Sequence, residues 1–285
     1  TCALPIWIVE FRILLPFNCE KYNIGNRYMN YLYYKDEKGG GEGIELVKNE
    51  ESYDENNQFK RYTYKIYHIK SRIPRWIRWA IPDKYLHFHE ESNSDFYHSK
   101  TRDFVPGMEE YFMLQVESKY FPYKLNEEIN DNVMELTEEE LQMRSIVYLD
   151  VLNGKPDPEK EEYDCHNLVC PEIGINEKLD SDYTNFDGKD IPPWAKTFKG
   201  ELMMGVKVVK FMFKWRGLQT AVEKTVMESF YPGLFTNVNR KVLASSPIWA
   251  KMTLKDIKDL EDKIQKEQYD DGGFICDDES NKPIK

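Results

Sequence analysis

Thr63 and Lys65 stand two apart in Tyr62-Thr63-Tyr64-Lys65-Ile66-Tyr67-His68, where β-branched and aromatic residues alternate with polar ones. Such a run is a strand, and its period of two puts Thr63 and Lys65 on one face with Phe59, Tyr67 and Ile69. A hydroxyl and an ammonium on an otherwise apolar face suit the binding of an anionic, hydroxyl-bearing ligand. Other polar residues are placed alike. Lys207 shares a strand face with Met203, Val209, Phe211, Phe213 and Trp215. Desolvated alone, its ammonium needs an anion or a rim position. Ser118 is a hydroxyl among Phe112, Leu114, Val116 and Tyr120, and Glu261 interrupts the Leu254, Ile257, Leu260, Ile264 stripe of the last helix. Singly, each is more often a rim residue or a satisfied core group; together they are candidates to converge on one ligand.

Other motifs carry less. Gly39-Gly40-Gly41-Glu42-Gly43 lacks the Gly-Lys-Ser/Thr ending of a phosphate loop and reads as a helix-to-strand turn needing positive φ. His87-x-His89-Glu90 has no third ligand at matching spacing, so no metal site is expected. Cys165-His166 and Cys170 read as free surface thiols rather than a zinc site. No nucleophile has a local partner, so no enzyme is expected, and no cofactor.

The totals fit one large domain. The chain has 285 residues, 41% hydrophobic and 14% aromatic, enough for a core. A net charge of −11 argues against general nucleic-acid binding. Five scattered cysteines suit a reducing compartment, and no run approaches the ~18 apolar residues of a membrane span. Residues 1–6 read as a fragment edge or artefact, 7–268 as the domain, and 269–285 as a flexible acidic tail.

The elements that position these residues follow from pattern. Trp7 to Leu15 alternates as a first strand, with Glu10 and Arg12 opposite its apolar face. Asn18 caps a helix to about Tyr34, which Gly25 weakens. Pro74 and Pro82 bracket a short helix carrying Arg75, Trp76, Arg78 and Trp79, read equally as a core helix or a bilayer-contact element. Strand patterns recur at 85–91, 96–102, 111–120, 146–151 and 203–215, and Thr137 with Glu140 forms a capping box. Residues 153–200 form a long acidic loop. A helix from Leu218 ends at Pro232-Gly233, and Thr253 with Asp256 caps the final helix. Strands followed by helices give an α+β architecture with a mostly antiparallel sheet.

In this order the chain resembles the phosphatidylinositol transfer proteins. The likeness rests on the glycine run 39–43, Tyr62–His68, His89-Glu90, Phe213-Lys214-Trp215-Arg216-Gly217-Leu218-Gln219 and Leu234-Phe235-Thr236-Asn237, over about residues 7–268. It implies a START-like fold: a concave sheet and long helices enclosing one phospholipid, with a regulatory loop at 153–200 and a mobile last helix. It further implies headgroup contacts at Thr63, Lys65, Glu90, Thr101, Lys207 and Glu261, with Asn26, Ser94 and Ser118 in place of the family's Gln, Asn and Thr. The family's membrane-inserting Trp-Trp corresponds to Trp215-Arg216, with Trp76 and Trp79 as further membrane contacts. Ser99 and Val238 replace the Cys and Phe linked with phosphatidylcholine, which makes that lipid a less secure partner than phosphatidylinositol. The implied protein is a cytoplasmic monomer, transiently membrane-associated, that exchanges phosphatidylinositol between membranes. The alternatives are a lipid-presenting adaptor for phosphoinositide synthesis and a START-like enzyme acting on a hydrophobic small molecule.

Overall fold

The computed structural model describes residues 6–36, 43–68, 73–125, 127–152, 165, 167–178 and 189–270. Eight strands form one sheet: β1 (Trp7–Leu15), β2 (Gly43–Tyr53), β3 (Phe59–His68), β4 (His87–Ser94), β5 (His98–Phe104), β6 (Phe112–Tyr123), β7 (Arg144–Leu149) and β8 (Leu202–Phe213). Their order is β2-β3-β4-β5-β6-β8-β1-β7, antiparallel except for the parallel β1–β7 pair. The helices are α1 (Cys19–Asp36), α2 (Arg75–Ala80), α3 (Glu138–Met143), α4 (Gln219–Thr225), α5 (Tyr231–Ala244), α6 (Ser246–Trp249) and α7 (Leu254–Asp270). This is the expected α+β, START-like architecture.

Local chemistry sets the helix starts. Lys21 N donates to Asn18 Oδ1 at 2.9 Å, Thr137 and Glu140 form a reciprocal capping box, and Asp256 N donates to Thr253 Oγ1 at 3.2 Å. Three helices then cover one sheet face. Tyr22 of α1 lies 4.9 Å from the Tyr120 ring, Phe235 of α5 meets Phe11 at 5.3 Å, and Ile264 of α7 is buried with Tyr34, Ile44 and Leu46. On the opposite face of β1, fully buried Glu10 pairs with Arg12 at 2.6 Å and Arg144 at 2.8 Å.

Several expectations change. Gly25 lies in α1 for a packing reason: a Cβ there would sit 2.6 Å from Cζ2 of the fully buried Trp249. The helix from Leu218 does not stop at Pro232-Gly233. A π turn over Val226–Phe230 joins α4 to α5, and its wider ring relieves the clash of the proline with the preceding turn. The segment 234–249 is accordingly helical.

Cys165 and Cys170 are buried, not surface thiols; a thiol behaves as a small hydrophobe, and Cys165 also donates to Arg240 O at 3.4 Å. The described parts of the 153–200 loop bury Leu168, Ile173, Ile175 and Trp194. Trp194 Nε1 donates to Asp150 Oδ1 at 3.0 Å. Of the glycine run, Gly43 is described, at φ 145°. The readings on 1–5, 39–42, Ile69, 153–164, His166, 179–188 and 271–285 fall outside the described residues.

Candidate functional site

The sheet register places the polar candidates in rows. Cross-strand partners share a face, and Arg61, Ser94, Ser99, Ser118 and Lys207 are successive partners across β3, β4, β5, β6 and β8. The next row is Thr63, Ser92, Thr101 and Val116, and the third is Lys65, Glu90, Asp103 and Leu114. All three rows lie on the face covered by α1, α5 and α7. Thr63, Lys65, Glu90, Ser94, Thr101, Ser118 and Lys207 are thereby brought together. Asn26 sits on α1, one turn beyond Tyr22 and partly buried.

Each row has its own chemistry. Lys207 Nζ donates to Ser118 Oγ at 3.0 Å and to the Tyr120 hydroxyl at 2.7 Å. It also lies 5.2 Å from the centroid of the Phe235 ring. No carboxylate pairs with it among the described residues. Burial would raise the Tyr120 pKa, but Lys207 and Ser118 outweigh burial and lower it. In the middle row, Ser92 and Thr101 hydroxyls meet at 2.9 Å.

In the third row, Lys65 Nζ pairs with Glu90 Oε1 at 2.6 Å and the Tyr67 hydroxyl donates to Glu90 Oε2 at 2.5 Å. Burial works against the Lys65 charge, yet Glu90 more than compensates and the pKa rises. Asp103 beside them is driven towards its neutral acid by burial and then by Glu90.

Glu261 projects from α7 and is fully buried. Its Oε1 receives Arg27 Nε at 3.3 Å and Arg61 Nη2 at 3.0 Å, and its Oε2 receives Arg27 Nη2 at 2.7 Å and Asn49 Nδ2 at 3.0 Å. Burial would raise its pKa, but Arg61, Arg27 and Asn49 lower it. Arg27, Asn49, Arg61 and Tyr120 escape the sequence reading. The alternation that places Thr63 and Lys65 also places Arg61; Asn49 and Tyr120 need the register, and Arg27 needs the docking of α1 on α7.

Trp76, Trp79 and Trp215 follow the strand ends at one end of the sheet, where β3 and β8 finish and α2 and α4 begin. Trp79 is 93% exposed and Trp76 42%, so α2 turns these tryptophans outward while its Ile77 packs against the core. Trp215 is partly buried and starts the turn into α4 through its carbonyl, while Arg216 is exposed. His89 is not placed as a ligand: its Nδ1 lies 2.5 Å from the Tyr64 hydroxyl, and burial, then His68 and His87, pulls its pKa down to about 4. Among the described residues no cluster of three His, Cys, Asp or Glu could hold a metal ion, and no helix is long and apolar enough to cross a membrane.

A largely antiparallel sheet with polar rows beneath three helices is the START-like class of lipid-binding domain. The sequence model of the phosphatidylinositol transfer proteins matches residues 6–266. The human phosphatidylinositol transfer protein beta isoform is 30% identical over 272 residues, covering 92% of this chain and 93% of that protein. Phosphatidylinositol transfer protein 1 of Dictyostelium discoideum is 30% identical over 260 residues, covering 91% and 93%. Protein retinal degeneration B of Drosophila melanogaster is 29% identical over 283 residues, covering 96% of this chain but 22% of that protein. The chain belongs to the phosphatidylinositol transfer protein family, whose members are lipid carriers rather than enzymes.

Proposed function

We propose that this chain binds one phospholipid, chiefly phosphatidylinositol, against the helix-covered face of the sheet and exchanges it between membranes. The observation that carries this is Lys207: a cation held by Ser118 and Tyr120 with no carboxylate among the described residues, at the end of a row of serines. A lipid phosphodiester supplies the missing anion. Thr63, Thr101, Ser94 and Asn26 offer hydrogen bonds to inositol hydroxyls, and the Lys65–Glu90 pair offers both a donor and an acceptor. A polar wall of this kind rejects a headgroup that leaves it unpaired.

Carriage through water requires that the acyl chains be hidden. At ~0.8 kcal/mol per CH₂, two chains of roughly fifteen carbons gain about 24 kcal/mol. Exposed Trp79 and Trp76, with Trp215 and Arg216 at the same sheet end, suit transient contact with a bilayer. The protein then works as a monomer in the cytoplasm, and phosphatidylcholine is the second lipid to examine. Native mass spectrometry of the purified chain identifies the lipid, and labelled phosphatidylinositol moved between vesicles measures exchange. Lys207→Met should abolish most of that transfer; a chain that carries no phospholipid, or a variant that transfers at the parent rate, defeats the reading.

A further inference from the structure

Asp103 is a carboxyl that the proposed headgroup contacts leave unused. It lies on β5 in the row of Lys65 and Glu90, with Leu114 on its other side, and so faces the helix-covered interior. Lys65 Nζ is taken by Glu90 at 2.6 Å, and the second Glu90 oxygen by the Tyr67 hydroxyl. No hydrogen bond or ion pair reaches Asp103 among the described residues. Neighbouring carboxyls with one ammonium for both do not both ionise in such surroundings. Glu90 is the one paired with Lys65. Asp103 keeps its proton: burial, then Glu90, raises its pKa, and Lys65 does not offset them. The Tyr67 phenol of β3 and the Tyr231 phenol of α5 face the same two acids, and each is held neutral by burial and then by those acids. A neutral carboxylic acid is a hydrogen-bond donor. Left without an acceptor in the interior, that donor is unfavourable until a ligand supplies one.

The position says what the acceptor is. Asp103 stands two residues beyond Thr101 on β5, about 7 Å along the strand. The next row towards the proposed bilayer side is aromatic: Tyr67 pairs with Phe88 and Phe112 with Phe213, and the Phe88 and Phe112 rings lie 5.6 Å apart. Leu114 and Phe211 complete the row of Asp103 itself. Asp103 therefore marks the border between the polar wall and the apolar one. In a lipid whose phosphate lies at Lys207 and Thr101, that border falls a few bonds further on, where an acyl chain joins the backbone. We propose that Asp103 is a specificity-determining residue: it donates a hydrogen bond to the carbonyl at the head of an acyl chain, so that the cavity favours acyl-linked lipids over alkyl ether lipids with the same headgroup. An ether lipid brings the same phosphate, inositol and chains but no carbonyl, and it leaves the acid unpaired. The inference rests on the lipid-transfer reading.

Diacyl and dialkyl ether phosphatidylinositol, separately labelled and competing for the full chain in vesicle transfer, test it. The parent should favour the diacyl lipid by at least roughly fivefold. Asp103→Leu removes the donor and should bring the two lipids to within about twofold of each other. Asp103→Asn keeps a donor in its amide and should retain most of the preference, a rescue that a merely structural carboxyl would not show. Infrared spectra of bound phosphatidylinositol with isotope-labelled ester carbonyls read the bond directly. A band shifted to lower frequency should be present in the parent and in Asp103→Asn, and absent in Asp103→Leu. A parent that takes both lipids equally overturns the inference and leaves the transfer reading intact. So does an unshifted carbonyl band in the parent. So does an Asp103→Leu variant that loses the two lipids in equal measure, which would assign the acid to the inositol ring. A parent that carries neither lipid overturns both readings.

Discussion

Replacing Lys65 with alanine looks at first like a clean test of headgroup binding, but Lys65 and Glu90 are a buried pair, with side chains 10% and 13% exposed. Removing one partner of such a pair costs about 3–5 kcal/mol, because the other charge is stranded. Glu90 keeps the Tyr67 hydroxyl at 2.5 Å, which sets the cost at the lower end, about 3 kcal/mol. At roughly 2–4 °C per kcal/mol, Tm falls by about 6–12 °C. Lost transfer in Lys65→Ala would therefore mix binding with unfolding. Lys65→Met combined with Glu90→Gln removes both charges while keeping volume, and should return Tm to within about 3 °C of the parent. Thermal unfolding followed by circular dichroism reads stability, and vesicle transfer well below Tm reads function. The double variant should be stable yet transfer phosphatidylinositol at least roughly tenfold more slowly, the loss of one charged hydrogen bond. If it transfers at the parent rate, the pair is structural only. If Lys65→Ala leaves Tm unchanged, the ion-pair reasoning itself is wrong.

Gly25→Ala sets two effects against each other. Helix propensity favours alanine by about 1 kcal/mol, but the new Cβ would lie 2.6 Å from Trp249, whose Nε1 is tied to Val242 O at 2.8 Å. Overpacking of about 1–3 kcal/mol should win, so chemical denaturation should show a net loss; a gain would refute the close approach. At the membrane, Trp79→Ala should weaken vesicle binding more than Trp215→Ala in a flotation assay, because Trp79 is 93% exposed and Trp215 is partly buried; the reverse order would move the contact to the α4 end. His89 should titrate near 4 by NMR, since its neutral form is the buried one. Its folded pKa lies below its unfolded value. Its contribution is therefore full above about pH 6.5, falls as pH drops from there towards 4, and totals about 3 kcal/mol. Asp103, with a raised pKa, works in the opposite direction over its own range. A His89 resonance titrating near 6.5 would contradict its burial.

Much of the scaffold is written in short-range rules. The alternation of Trp7–Leu15 and the reciprocal caps at Thr137 and Thr253 depend on neighbours within a few residues, so the sequence displays them. Pro232 misleads for the same reason. A local rule stops the helix there, while the π turn that accommodates it is a property of the continuous helix. The site divides likewise. Thr63, Lys65 and Lys207 declare themselves as polar residues on apolar faces. Ser94 and Thr101 join them through register alone. The Glu261 partners come from positions 27, 49 and 61, separations of two hundred residues or more that no pattern in one sequence reports. Gly25 is the sharpest case: a residue that weakens a helix locally is required by a tryptophan 224 positions away.

The bonds from Gln265 and Gln268 of α7 to Val47, Leu46 and Ile44 have a consequence for solubility. β2 is the outermost strand on its side of the sheet, and its outward backbone groups are a template onto which another strand can grow. The glutamine amides occupy part of that template with the same donors and acceptors a strand would use. Each departure of α7 would uncover it. Opening only against a bilayer, where a second protein chain is not at hand, would let a carrier loosen its last helix without seeding aggregates of itself.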